Sequence, residues 1–476
     1  MRRTQKPADP GDRDTTDSGV GGHAAEPAGQ LRPGLSQRQL NMIAIGGVIG
    51  AGLFVGSGVA IGATGPAAFL TYALCGLVII LVMRMLSEMA AANPSTGSFA
   101  DYAAKALGGW AGFSVGWLYW YFWVIVVGFE AVAGGKVLNY WVHAPLWLMS
   151  LCLMAMMTAT NLFSVSSFGE FEFWFAGIKV ATIVGFLVLG LAFAFGLLPG
   201  HHLDFSNLTS HGGFFPKGVG AVFSAIVVVI FSMTGAEVVT IAAAESRDPE
   251  RAIARAMNSV VARIAIFFVG SVFLLVVVMP WNSVDLGASP YVAALKHMGI
   301  PGADQVMNAV VLTAVLSCLN SGLYTSSRML FVLADRGEAP GQLVKLSRRG
   351  VPYVAILFSS AVGFACVIMA RVSPNTVFLF LLNSSGAIIL FVYVLIALSQ
   401  LVLRRRTPVD ELRVKMWFFP VLSILTLAGM LAILVRMAFE PSARSQLWLS
   451  LLSWALVVTL YFAARARRRI GARTRS

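Results

Sequence analysis

The sequence predicts an all-α integral membrane protein of twelve transmembrane helices. Three observations carry that expectation. Hydrophobic residues make up 57% of the 476-residue chain and charged residues 12%, at a mean hydropathy of +0.77; soluble domains carry about 25% charged residues. Apolar runs of roughly 20 residues, long enough to cross a hydrocarbon core of about 30 Å, recur along nearly the whole chain. The basic residues between those runs are distributed one-sidedly, as membrane topology requires.

Taken in order, residues 1–36 are rich in Pro, Gly, Asp and Ser and hold no apolar run. They read as a disordered cytoplasmic tail rather than a signal peptide or a packed domain. The twelve runs then fall near 40–64, 67–89, 110–139, 145–164, 170–197, 219–245, 257–282, 304–333, 352–371, 375–402, 415–438 and 446–464. With the N-terminus inside and the spans alternating, 28 of the 35 Lys and Arg lie on the cytoplasmic side, six lie outside and Lys179 lies within a span. That is the positive-inside pattern. It accounts for the net charge of +13 without nucleic acid and brings both termini to the cytoplasm. Ten spans occupy residues 37–402; two additional helices fill 403–465, and 466–476 form a basic cytoplasmic tail.

Enzyme chemistry finds nothing to build on. The four cysteines, Cys75, Cys152, Cys318 and Cys366, lie in apolar spans without metal-ligand spacing and read as reduced structural thiols. The histidines sit in tails, loops or span ends. No nucleophile–base order and no phosphate-cradling glycine loop stands out, so neither cofactor nor metal is expected.

The chemistry lies instead in two spans that break their own helices. "MIAIGGVIGAGLF", residues 42–54, carries Gly46, Gly47, Gly50 and Gly52 inside an apolar run. Gly46 and Gly50 satisfy small-x-x-x-small spacing, so close helix packing is one reading. The sixth span supplies the other. It clusters Ser232, Thr234, Gly235 and Glu237 in mid-helix, and a carboxylate there costs about 2.5–3.5 kcal/mol on insertion scales. Irregular backbone survives in a bilayer only when buried in protein or lining a wet cavity, and a pair of interrupted segments five spans apart points to a secondary transporter's binding site. Freed N–H groups at a half-helix start suit a carboxylate, and freed carbonyls suit an ammonium. A zwitterion is the solute that two such breaks would hold.

These segments also resemble the signature of the amino acid–polyamine–organocation permeases. "GGVIGAGLF" resembles the first-helix motif and "FSMTGAEVVTIAAAES" the sixth. Residues 83–120, "GEFEFWFAGIK" (169–179), "SCLNSGLYTSSRMLFVLADRGEAP" (317–340) and "NSSGAIILFVYVLIALSQ" (383–400) match as well. The resemblance runs from about 35 to 465 and falls in the amino acid transporter branch, most like bacterial 4-aminobutyrate (GABA) permeases. It implies five-plus-five inverted repeats (about 40–197 and 219–402) with discontinuous first and sixth helices, two further helices, and proton-coupled uptake across a bacterial inner membrane by alternating access. Carried over by position, the backbone of Ile49, Gly50, Ala51 and Gly52 would receive the substrate carboxylate. Phe231, Thr234 and Gly235 would line the amino end, with Phe231 the gate over bound substrate. Some relatives carry tryptophan at that gate.

Charges at membrane depth complete the candidates. Lys179 either snorkels to the cytoplasmic edge or places its ammonium where sodium-coupled relatives of the fold hold a cation, so that its proton couples to transport. Glu172, seven residues earlier on roughly the same face, is its candidate partner or a gate; Glu170 reads as an ordinary helix-start carboxylate. Glu130 either pairs with Lys136 or faces the cavity and selects the substrate's amino end. Ser317, Ser321 and Tyr324 form an i, i+4, i+7 stripe beside Asn320 that either bonds back to helix carbonyls or supports the cation-like site. Asn383, Ser384 and Ser385 are candidates of the same sort, and Glu237 is a supporting residue. Glu245 and "RDPERAIAR" read as a cytoplasmic turn and an amphipathic helix.

The expected function is proton-coupled uptake of a small amino acid, in particular 4-aminobutyrate, with the solute, the proton and the lipid bilayer as partners. The rivals are a permease for another neutral or aromatic amino acid, and a sensor that binds without transport. A sensor needs an output module, and neither tail supplies one.

Overall fold

In lipid every backbone polar group must be satisfied within the protein, which leaves an apolar chain the helix as its spanning element. The computed structural model follows that rule: its regular elements are helices, and among the described residues the sole strand-like pairing is an isolated bridge between Phe195 and Leu203. The structure describes residues 42, 49–95, 97–163, 165–198, 202–238, 240, 260–283, 289–372, 374–440 and 443–473, and only the backbone of 165–168, 374–385, 411 and 467–473. The described residues belong to one compact unit, Leu31–Ser476. The N-terminal tail, Gly46, Gly47, Glu245 and the "RDPERAIAR" stretch lie outside them, as do the side chains of Asn383, Ser384 and Ser385.

The first described helices are short. α1 (Ala51–Phe54) and α2 (Gly56–Thr64) are separated at Val55. A 3-10 turn over Gly65–Ala67 then leads into α3 (Ala68–Ala92). Gly65 sits at φ +74, a left-handed value that suits glycine, and Pro66 supplies the fixed φ of a helix start. An amphipathic α4 (Ser98–Leu107) precedes α5 (Gly109–Leu138), α6 (Leu146–Phe163) and α7 (Val165–Ala194).

The second half begins with α8 (Val219–Ser224) and α9 (Ile226–Met233). A π-helical stretch at Ile264–Gly270 continues into α10 (Ser271–Val278). Then follow α11 (Pro290–His297), α12 (Ala303–Asp335), α13 (Tyr353–Ala370), α14 (Pro374–Arg406), α15 (Val421–Phe439) and α16 (Arg444–Arg473).

Ten of these helical stretches are long and apolar enough to cross a membrane. The first two expected spans form one continuous stretch, Ala51–Ala92, because α2 is short and turns directly into α3. Of the expected sixth span the described residues show an apolar helical stretch over Val219–Met233, a turn over 234–237, and helix again at Val238 and Thr240.

α5 is the most buried of the ten stretches and α16 the least. α12, α14, α13, α4 and α6 all pack on α5. Its small residues allow that closeness: a Cβ on Gly134 would lie 2.8 Å from Leu153 and 2.9 Å from Val315. Buried polar bonds tie the outer helices to this core. Glu88 on α3 accepts hydrogen bonds from Gln400 (2.8 Å), Arg404 (3.3 Å) and the Met416 N–H (2.6 Å), and Ser423 of α15 donates to Gln400 at 3.0 Å. Asp101 on α4 pairs with Arg336 beyond the end of α12, and Ser98 meets Thr240 at 2.7 Å.

Candidate functional site

Gly50 and Gly235 both lie outside helical conformation. Gly50 is extended (φ −132, ψ −158) and begins α1 as its N-cap. α9 ends at Met233, Thr234 is extended (ψ 153), and Gly235 lies at φ +116, a value that L side chains rarely adopt. At Gly50 the requirement for glycine is close approach. A Cβ there would stand 2.8 Å from Glu130 Oε1 and 2.9 Å from Cys318.

The two broken spans touch each other. A Cβ on Gly52 would lie 2.7 Å from the Ser232 Cα, and the Ser232 hydroxyl donates to the Gly52 carbonyl at 2.7 Å. Around this crossing lies a small cavity of about 20 Å³, closed down to room for about one water, lined by Gly50, Gly52, Phe122, Trp123, Val126, Glu130, Phe231, Ser232, Thr234 and Cys318.

One N–H at each break is capped by a carboxylate of the protein. The Ala51 N–H donates to Glu130 at 3.2 Å (Oε1) and 3.3 Å (Oε2). The Gly235 N–H donates to Glu237 at 3.2 and 3.1 Å. Glu237 also accepts the Tyr119 hydroxyl from α5 and the Tyr393 hydroxyl from α14, each at 3.2 Å. All three side chains are fully buried, so the sixth-span break is pegged to two neighbouring helices. Glu130 lines the cavity, but its two oxygens go to the first-span backbone rather than standing free for an amino group or turning to Lys136. In this structure Glu130 stands against the Ala51 N–H, one of the groups expected to receive the substrate carboxylate.

Lys179, Glu172 and Ser317 form a second buried cluster. The Lys179 ammonium donates to Ser317 at 2.7 Å, Ser317 donates to Glu172 at 2.6 Å, and Lys179 and Glu172 are 3.7 Å apart. All three are fully buried, so Lys179 does not snorkel to an aqueous edge. Along the rest of the α12 stripe, Ser321 is buried without a hydrogen-bond partner and Tyr324 carries the Arg328 guanidinium 3.9 Å from its ring. Asn320 accepts from Asn161 at 2.7 Å. Glu170 accepts the Trp174 indole N–H at 3.2 Å, a local pair at the start of the helix.

Phe231 packs against Phe129 (ring centroids 5.0 Å apart) and Phe122 (6.3 Å). Thr234 lines the cavity but bonds back to the Ile230 carbonyl at 2.7 Å. Ile49 and Ala51 are fully buried; they and Gly235 border the cavity without lining it. Reading the sequence missed Phe122, Trp123, Val126 and the contact made by Cys318. A usable signal was there: Phe122, Val126 and Glu130 recur every four residues, one face of α5.

A buried cavity where two interrupted membrane segments cross, with a helix-terminal N–H of each aimed at a carboxylate, is the arrangement of a membrane carrier. Comparison with known proteins gives the family. The chain belongs to the amino acid permease family, whose model matches residues 39–471. It is 53% identical over 443 residues to a gamma-aminobutyric acid permease of Bacillus subtilis, covering 92% of this chain and 94% of that protein. It is 46% identical over 453 residues to the gamma-aminobutyric acid permease of Escherichia coli (94% and 97% covered). An aromatic amino acid transport protein of Corynebacterium glutamicum is 40% identical over 453 residues, covering 94% and 98%.

Proposed function

We propose that this permease imports 4-aminobutyrate together with a proton across a bacterial inner membrane. In this reading the chain crosses twelve times with both termini in the cytoplasm, and two inverted five-helix repeats alternate access to the cavity. The observation that carries the mechanism is the pair of hydrogen bonds from the Ala51 N–H to Glu130: an anion already occupies the positive end of the first-span half-helix. A proton arriving on Glu130 removes that anion's charge and frees the N–H for the substrate carboxylate. Leaving substrate returns the seat to ionised Glu130, and the proton is released. Solute and proton therefore enter and leave together.

The Lys179–Ser317–Glu172 cluster, whose Ser317 is next in chain to the cavity-lining Cys318, relays the proton. Phe231 closes over the solute. Glu237, held by Tyr119 and Tyr393, keeps the Gly235 break in register while the rest moves. The choice of 4-aminobutyrate rests on the names of relatives at 46–53% identity.

A second reading, uptake of an aromatic amino acid, is favoured by the relative of that name at 40% identity. Reconstitution into liposomes with a panel of labelled amino acids separates the two. The expected result is 4-aminobutyrate uptake that rises with an imposed inward proton gradient. Preference for phenylalanine would select the second reading, and uptake indifferent to the gradient would remove proton coupling.

A further inference from the structure

The proposed cycle leaves the amino end of the solute without an obvious anion. Glu130 carries the proton while substrate is bound and so has no charge to offer, and Glu237 accepts from the Gly235 N–H and two tyrosines. The Ser232 and Thr234 hydroxyls donate to the carbonyls of Gly52 and Ile230. What remains of the lining is largely aromatic: Phe122 and Trp123 from α5, and Phe231 from α9.

Those rings stand as walls rather than as a stack. Phe122 and Trp123 have centroids 5.5 Å apart with their planes at 80°. Phe122 and Phe231 are 6.3 Å apart at 64°. Each outer wall is braced from behind: Phe129 meets Phe231 at 5.0 Å and 81°, and Tyr119 meets Trp123 at 6.1 Å and 81°. Phe122 and Trp123 are buried to within 2% and Phe231 to within 6%. A cation is attracted to an aromatic face within about 6 Å of the centroid, most strongly where water is excluded. Centroids 5.5–6.3 Å apart let one small cation come within that reach of Phe122 and of both its neighbours.

We propose that Phe122, Trp123 and Phe231 form an aromatic corner that holds the substrate's ammonium by cation–π attraction, with no dedicated carboxylate. This rests on the amino acid uptake reading above and adds the chemistry of the amino end. It also predicts a ligand class: a cation–π site does not need N–H donors, so a quaternary ammonium of the same chain length is accepted there.

The test uses the full-length protein in liposomes. Labelled 4-aminobutyrate uptake is competed by 4-(trimethylammonio)butyrate and by the carbon isostere of its cationic head, 5,5-dimethylhexanoate, which keeps the carboxylate and lacks the positive charge. The quaternary compound is expected to compete within about tenfold of unlabelled 4-aminobutyrate, and the isostere at least about 30-fold more weakly. In a second arm Phe231 is replaced by 4-fluoro-, 3,5-difluoro- and 3,4,5-trifluorophenylalanine, which drain the ring face at nearly constant size. KM is expected to rise stepwise, by about tenfold over the series, while the maximal rate holds. Equal competition by both analogues, exclusion of the quaternary compound, or a flat fluorination series would overturn the proposal while 4-aminobutyrate uptake continued. Absence of uptake by the unsubstituted protein would instead defeat the functional reading on which it rests.

Discussion

Replacement of Gly52 by alanine tests the crossing of the two broken spans with a single methyl group. The new Cβ would lie 2.7 Å from the Ser232 Cα and 3.3 Å from its Cβ and Oγ. Carbon atoms pack at about 3.5–4.0 Å, so the crossing must open by roughly 0.8 Å or more. The atom in the way is backbone and cannot rotate aside. That opening stretches the 2.7 Å bond from the Ser232 hydroxyl to the Gly52 carbonyl past useful length. Overpacking costs about 1–3 kcal/mol and the lost hydrogen bond about 1 kcal/mol, together about 2–4 kcal/mol.

Because the strain falls on the crossing itself, at least half of it is expected in transport, a loss of about 5- to 30-fold or more. Gly56, the first residue of α2, is the internal control: its added Cβ would sit 3.5 Å from Ser232 Oγ, an ordinary contact. The assay is the initial rate of 4-aminobutyrate uptake in liposomes, normalised to folded protein by size-exclusion profile. Gly56→Ala should stay within about threefold of the unsubstituted rate. A Gly52→Ala rate equally close to it, or equal damage from both substitutions, would refute the reasoning.

Other consequences concern charge. Lys179→Gln should abolish accumulation driven by a proton gradient while leaving measurable binding by equilibrium dialysis; unchanged accumulation would clear Lys179 of coupling. Ser317→Ala removes the hydroxyl between Lys179 and Glu172 and should slow gradient-driven uptake by about tenfold, since bonds to charged groups contribute about 1.5–3 kcal/mol. Tyr119→Phe and Tyr393→Phe should each raise KM by about tenfold, and the double variant should fall short of the product of the two, because both act on Glu237. A fully multiplicative double variant would mean that the tyrosines act separately. Uptake should fall as the external pH rises, because the proton is a co-substrate; a pH-independent initial rate contradicts this.

The sequence made the breaks legible because glycine and polar residues interrupt otherwise apolar runs, and Gly50 and Gly235 do leave the helical conformation. The proximity of Lys179 and Glu172 was also readable, since seven residues make two turns of one helix. What stayed hidden depends on contacts between spans, which helical periodicity does not encode. Nothing in the sequence says that Glu130 reaches the Ala51 N–H, 79 residues away. Nor does it say that Tyr119 and Tyr393 converge on Glu237 from different helices. Cys318 read as an ordinary structural thiol, yet it lines the cavity because Gly50 brings the first-span backbone against it. The merging of the first two expected spans came from the short turn at Gly65 and Pro66, where the apolar run continues through a change of direction.

Glu130 stands in for the substrate's carboxylate at the Ala51 N–H, and Glu130→Gln measures that directly. Glutamine keeps the size of the side chain and mimics its protonated form. The variant should exchange labelled 4-aminobutyrate across liposomes in counterflow at any pH from about 5 to 8, yet fail to accumulate it against a gradient when protons are supplied outside. Accumulation equal to that of the unsubstituted protein, or counterflow that retained its pH dependence, would contradict the exchange of carboxylates at the Ala51 N–H.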